Sequence, residues 1–313
     1  MDTSQRPLVS VIIPLYNHER FIVRCLESIV EDSYPIKEII VLDDGSTDAS
    51  AEMVQKWYLN NSERFVSRFK FIRRENRGLT KTLNELVSMA QGEYIVPVAS
   101  DDYLLPGGIQ ARLEYLLDHP EKLAVFADCI VVDGNGGLLY NSGLTDLYQG
   151  RKKYLAHERL RAYELIFHWC IPGPVLMAKR DVYQVVGGYD ESLFVEDWDF
   201  FLRLLSHNLL GFVDYPVAAY RLHGLNSVTN KSLASRSNDS KYKTISKNLD
   251  NFSGLKRAHI ITKKISLIGA MNMVNGNFLK SFFYRGLGFL LRRITTIIYD
   301  LEALILLRIL KNE

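Results

Sequence analysis

The strongest constraint on this chain is a repeated change of period along its first third. Leu8–Ile13 (LVSVII) is an apolar, β-branched run that stops at Pro14, and Arg20–Val30 then places Phe21, Cys25, Leu26 and Ile29 at helical spacing. Glu38–Leu42 (EIIVL) is a second strand, followed by a helix through Trp57 that Thr47 or Asp48 could cap. Phe69–Ile72 reads as a third strand, Gly78–Ala90 as a helix and Tyr94–Val98 (YIVPV) as a fourth strand. Near-continuous apolar strands separated by helices fold as a parallel sheet covered on both faces. Ligands of such sheets bind outside the carboxyl ends of the strands. Three strands here end in polar residues at that edge: Pro14-Leu15-Tyr16-Asn17, Asp43-Asp44-Gly45-Ser46 and Ser100-Asp101-Asp102.

The second half is less regular. Leu123–Val132 reads as a strand that turns at Gly134-Asn135-Gly136-Gly137 into Leu138–Tyr140. Glu158–Trp169 reads as a helix, Val175–Ala178 as a strand, and Asp181 as the cap of a short helix ending at Gly187-Gly188. Asp197–Ser206 is helical, with Trp198, Phe201, Leu202 and Leu205 at the apolar positions, and Phe212–Tyr220 is a last strand. Ser227–Asn248 is rich in Ser, Asn and Lys and reads as a mobile segment; Leu255–Leu310 is helical and increasingly apolar. The expected division is a domain over residues 1–228 and a helical extension over 229–313.

Composition excludes several classes. With 47% hydrophobic and 24% charged residues in 313, a large core can form. A net charge of +2 gives no basis for nucleic-acid binding. Cys25, Cys129 and Cys170 are odd in number and without C-x-x-C spacing, so neither a disulfide framework nor a zinc site is expected; reduced thiols in a cytoplasmic protein are. The amino terminus does not have the pattern of a signal peptide, and no window reaches about 18 uninterrupted apolar residues.

Asp101-Asp102 places two carboxylates at one strand end, where a divalent cation is a natural partner. Mn²⁺ or Mg²⁺ would take one or two protein carboxylates and its remaining oxygens from substrate phosphates and water. A solvated Asp-Asp turn is the alternative. Asp44 could accept from a ribose or a base edge, or simply form an Asp-Gly turn.

Taken as an ordered set, Val9–Asn17 (VSVIIPLYN), Asp43–Asp48 (DDGSTD), Asn76–Leu79 (NRGL), Gly92–Ile95 (GEYI) and Ser100-Asp101-Asp102 resemble the family 2 inverting glycosyltransferases. Gly187–Asp190, Glu196–Asp199 and Tyr220–His223 extend the likeness over residues 8 to 228. The resemblance implies a GT-A fold, a Rossmann-like, mostly parallel α/β sheet flanked by helices, here with a C-terminal helical extension. It implies that Pro14, Tyr16 and Asp44 line a nucleobase and ribose pocket and that Asn76 and Asp101 also bind the donor. Asp102 would bind the diphosphate metal, and His223 would approach the metal-diphosphate or close over the donor. Asp197, in the Glu196-Asp197 pair, is similar to the family's catalytic base; a first-turn helix acid is the bland reading. The chemistry agrees, since inverting transfer needs a carboxylate to take the acceptor proton and a metal to offset charge on the departing diphosphate. The chain departs from the pattern at Leu83, where many relatives carry Arg, and at Ala99, where many carry Asp.

The expected reaction moves a sugar from a nucleoside diphosphate, by default UDP, to a hydroxyl of a glycan or lipid-linked saccharide during surface-polysaccharide synthesis. A nucleotidyltransferase is a rival reading, but it would favour a Gly-rich basic loop after the first strand, which Pro14-Leu15-Tyr16-Asn17-His18 is not. A non-catalytic nucleotide-sugar-binding homologue is another; intact Asp102 and Asp197 argue against it. For the acceptor, Phe167-His168-Trp169 with Pro172-Gly173-Pro174 is one candidate platform, or core and turn, and Leu144–Tyr154 is a second. In the tail, Ser281–Leu310 interleaves apolar residues with Arg285, Arg292, Arg293 and Arg308. Such a helix lies in a membrane interface, at the inner face of the cell membrane, or packs on the protein or on an oligomeric partner.

Overall fold

In the computed structural model, which describes residues 6–62, 68–224 and 233–309, the elements follow one another as β1 (Val9–Leu15), α1 (Ile22–Glu31), β2 (Lys37–Asp43), α2 (Ser50–Asn61), β3 (Arg68–Arg73), α3 (Leu79–Met89), β4 (Tyr94–Pro97), β5 (Tyr103–Leu104), α4 (Gly108–Asp118), β6 (Ala124–Val132), β7 (Leu138–Tyr140), α5 (Lys152–Ala156), α6 (Glu158–Phe167), β8 (Leu176–Lys179), α7 (Val182–Val185), α8 (Glu196–Ser206), β9 (Leu210–Arg221), α9 (Ala234–Asn248), α10 (Gly254–Val274) and α11 (Phe278–Ile309). They form two compact units that interleave along the chain. The first comprises Met1–Lys152, Cys170–Tyr189 and Leu209–His223; the second comprises Lys153–Trp169, Asp190–Asn208 and Gly224–Glu313. The boundary expected at 228/229, with Asn226 and Ser227, lies outside the described residues.

The first unit holds a sheet in the order β3-β2-β1-β4-β8-β6-β9-β5, with β7 on β6. The strands β3, β2, β1 and β4 are all parallel, and β6 pairs parallel with β9; β8 runs antiparallel between these groups. This is the mostly parallel sheet expected. Its central strands are covered on both faces, which is why they read as near-continuous apolar runs: Val9, Val11, Ile12, Ile13, Ile39, Val41 and Leu42 are all buried. Pro14 does not end β1, which continues to Leu15; the ladder to β4 ends at Ile12↔Pro97, so no bond on that side needs the missing Pro14 N–H. Helix α1 buries Ile22, Cys25, Leu26 and Ile29 at the expected spacing. Burying each large aliphatic side chain there contributes about 1.5–3 kcal/mol. Helix α3 sets Leu86 and Ala90 on Ile12, Ile40, Leu42 and Ile95 of the sheet.

Among the strands and α-helices of this unit, β5 and α4 have no counterpart in the sequence reading. Helix α4 begins at once after Gly107, whose φ of +76° suits a residue without Cβ. It buries Ile109, Leu113, Leu116 and Arg112, whose guanidinium donates to the carbonyls of Gly108 and Leu176 at 3.0 Å each. Asp48 accepts from the Ser50 N–H at 3.0 Å at the head of α2. Asp181 makes no side-chain cap on α7; only its carbonyl accepts, from Gln184 and Val185.

The second unit is helical. Phe167 of α6 stacks on His259 of α10 with centroids 3.8 Å apart, and Tyr299 of α11 donates to Glu164 at 2.9 Å. Phe167 is therefore core, which settles the choice between platform and core for that residue. Residues 234–248, expected to be mobile, are instead the helix α9. Its inward stripe is mostly polar: Ser240 Oγ accepts from the N–H groups of Phe194 and Val195, and Asn248 donates to Asp199 at 2.7 Å. Helices α10 and α11 meet along small residues, where a Cβ on Gly288 would lie 2.4 Å from Ser266 Oγ.

Candidate active site

The carboxyl edge of the parallel strands is built by short polar loops that hold one another. After β1 the chain turns at Asn17, which takes a positive φ of 54°. Its N–H donates to Ser46 Oγ at 3.0 Å, and its side-chain oxygen accepts from the Thr47 N–H at 2.8 Å. His18 is fixed in turn: its N–H donates to Ser50 Oγ at 2.8 Å and its Nδ1 lies 2.7 Å from Ser100 Oγ. Tyr16, beside Pro14 at the strand end, is 46% exposed and open to a ligand.

At the end of β2, Asp44 is buried and saturated. Its carboxylate accepts from the Arg74 guanidinium and from the N–H groups of Arg77 and Gly78, both at 2.8 Å. Asp44 thereby shapes the loop that carries exposed Asn76. Gly45 is required beside it, because its φ is +76° and a Cβ would lie 2.8 Å from the Asn76 nitrogen. Leu83, at the departure from the family pattern, is buried in α3.

The ends of β4 and β9 bring the central group together. His223 Nε2 lies 2.9 Å from Asp101 Oδ2, and His18 Nδ1 lies 4.0 Å from Asp101 Oδ1. One ligand atom each of His18, Asp101 and His223 falls within 4.8 Å of the others, a grouping able to hold a metal ion. Of the two residues expected at a metal, His223 is in this group. Asp102 stands next to it with Oδ1 accepting from the Arg221 N–H at 2.7 Å. Asp101, expected to bind the donor, is at its centre. Sequence reasoning passed over His18; the available signal was a histidine one residue beyond the Pro14–Asn17 strand end.

Burial pushes the Asp102 carboxyl well above the usual range, and the neighbouring Asp101 charge adds to it. Burial acts the same way on Asp101, but the His223 hydrogen bond and nearby His18 outweigh it and hold that carboxyl below the usual value. His18 is lowered by burial, partly offset by Asp101. The site thus keeps Asp101 ionised between two imidazoles. Two imidazoles and a carboxylate depart from the all-oxygen ligand set that Mg²⁺ prefers.

Asp197 belongs to the second unit, in the first turn of α8 with Glu196. Its Oδ1 accepts from the Trp198 N–H at 2.6 Å. Burial raises the pKa values of both carboxyls, and on Glu196 the adjacent Asp197 charge adds to the effect. Trp169 meets Trp198 edge-on, with centroids 6.4 Å apart.

Residues 10–185 match the model of the glycosyl transferase family 2. The chain is 27% identical over 252 residues to chondroitin synthase of Escherichia coli, covering 80% of this chain and 34% of that protein. It is 29% identical over 199 residues to hyaluronan synthase of Pasteurella multocida, covering 63% of this chain and 19% of that protein. The chain thus spans about a third or less of the length of these relatives. In fold it is similar to S. aureus TarS 1–349 in complex with UDP-GlcNAc, with a TM-score of 0.63, 20% identity and coverage of 86% of this chain and 74% of that one. It is also similar to the mannosyltransferase PcManGT of Pyrobaculum calidifontis in complex with GDP-Man and Mn²⁺, with a TM-score of 0.60, 17% identity and coverage of 96% and 88%. With its motifs in order, a family model matched over more than half its length and a sheet of the expected topology, the chain is a member of glycosyl transferase family 2.

Proposed function

We propose that the protein is a metal-dependent inverting glycosyltransferase that moves a sugar from a UDP-sugar to a hydroxyl of a glycan or lipid-linked saccharide in surface-polysaccharide synthesis. The observation that carries this reading is the convergence of His18, Asp101 and His223 at the carboxyl edge of the sheet in a family 2 chain. UDP-GlcNAc in one fold neighbour and GDP-Man with Mn²⁺ in another support a nucleotide-sugar donor with a cation. The chondroitin and hyaluronan synthases support a glycan acceptor.

In this reading Pro14 and Tyr16 face the base, while Asp44 and Asn76 shape the ribose side through the loop that Asp44 ties down. His18, Asp101 and His223 hold the metal, with Asp102 as the carboxylate behind them. A bound divalent cation supplies charge that offsets what develops on the departing diphosphate. Asp197 takes the proton of the acceptor hydroxyl as it attacks, and its raised pKa makes it a better base than an ordinary carboxylate.

Calorimetric titration with uridine diphosphate, with and without Mn²⁺, tests the donor reading. Metal-dependent binding is expected. Binding of guanosine or thymidine diphosphate in its place would overturn the choice of base, and absence of binding to all three would overturn the donor reading. Inversion is read separately, from the anomeric configuration of the product by NMR.

A further inference from the structure

Helix α11 presents its apolar side outward. Ser281, Gly288, Thr295, Tyr299 and Ala303, which recur at helical spacing, are its buried seam. The opposite stripe, Phe283, Leu290, Ile294, Ile297, Leu301 and Leu304, follows the same period and is exposed throughout. At the amino end of the helix Leu279 is 89% and Phe282 84% exposed. The helix is 32 residues long, about 48 Å, so this is a far larger apolar strip than a protein leaves to water without a use for it.

Charge identifies what covers it. Helix α11 alone carries Lys280, Arg285, Arg292, Arg293 and Arg308 against Asp300 and Glu302, a net of +3 on one element of a chain whose whole net charge is +2. Arg293 and Arg308 lie on the apolar side itself and, with Lys280, are exposed. A second copy of this helix would bring the same positive charge against it. An anionic bilayer surface complements both features, taking the apolar stripe into the acyl boundary and the cations at the headgroups. Among the described residues no helix is long and apolar enough to cross a membrane, so the helix would lie on the surface.

We propose that the outward face of α11, with its exposed Lys280, Arg293 and Arg308, is a docking surface for anionic phospholipid bilayers. This inference stands on the helical unit alone and does not depend on the sugar-transfer reading.

The test is sedimentation of the full chain with vesicles of phosphatidylcholine alone and with one third phosphatidylglycerol. Partition onto the anionic vesicles should be about tenfold or more greater, and should fall in high salt. Leu290→Asp with Leu301→Asp should abolish it, and Arg293→Glu should weaken it, with thermal unfolding unchanged because all three side chains are exposed. Lack of binding to anionic vesicles, or equal binding to both kinds, overturns the proposal. So does a dimer in sedimentation equilibrium that the same aspartate substitutions dissociate, because the stripe would then be a contact between copies.

Discussion

Asp101 Oδ2 lies 2.9 Å from His223 Nε2, although 122 positions separate the two residues in the chain. The contact joins the loop after β4 to the loop after β9, and His18 completes the group from the loop after β1. If the three act together on a metal, His18→Ala and His223→Ala should each weaken Mn²⁺-dependent binding of uridine diphosphate by about ten- to a hundredfold. Nucleotide affinity without metal should not change. Calorimetry on both variants reads the two quantities separately; equal losses with and without Mn²⁺ would mean the histidines serve the nucleotide directly.

Asp44 has a structural task that can be measured apart from ligand binding. It is buried, and its acceptors are filled by Arg74, Arg77 N–H and Gly78 N–H. Asp44→Asn removes the charge opposite Arg74 and should cost about 1–3 kcal/mol in urea unfolding. The donor loop should loosen with it. Slower uridine diphosphate association with faster hydrogen exchange over residues 74–78 is the expected signature; unaltered exchange there would remove the link between Asp44 and the loop.

How much of this was legible in the sequence depends on what kind of interaction fixes each part. The parallel strands declare themselves because burial on both faces demands near-continuous apolar runs, as in Val9–Ile13 and Ile39–Leu42. Asp101 and His223 were found through motif order, but their pairing was not, because spacing in sequence carries no distance between strand ends. Helix α4 was hidden by Pro106-Gly107-Gly108, which reads as a breaker, although here Gly107 opens the helix with a positive φ. Helix α9 was hidden for the opposite reason. Its buried stripe is Ser240, Thr244, Ile245 and Asn248, so hydrogen bonds to Phe194, Val195 and Asp199 replace the apolar periodicity a reader looks for.

The raised pKa of Asp197 gives a pH signature. A general base must be deprotonated, and burial shifts loss of its proton upward. The acid limb of kcat/KM should therefore sit above the usual carboxylate range near pH 4, with activity rising as pH passes through it. Asp197→Asn should keep metal-dependent donor binding and abolish transfer, since it preserves shape and removes the proton acceptor. Retained turnover in that variant would sink the base assignment.

His259 makes the helical unit acid-sensitive. It is fully buried, stacked on Phe167, with Nδ1 2.8 Å from Thr295 Oγ1 and Nε2 without a partner. Burial first, then Lys263, Arg292 and His168, lower its pKa from 6.5 to about 3. Well above pH 6.5 the ring is neutral in the folded and unfolded chains and has no effect on stability. As pH falls below that value, the unfolded chain takes up a proton that folded His259 refuses, so stability declines until pH nears 3. The whole loss is of order 5 kcal/mol at most. Urea unfolding followed by the fluorescence of Trp169 and Trp198, which lie in the same unit, should show a midpoint that drops between pH 7 and pH 5. His259→Leu should lower stability at pH 7, through loss of the Thr295 bond and the Phe167 stack, yet flatten the pH dependence. A variant that keeps the full slope would place the acid sensitivity on another group.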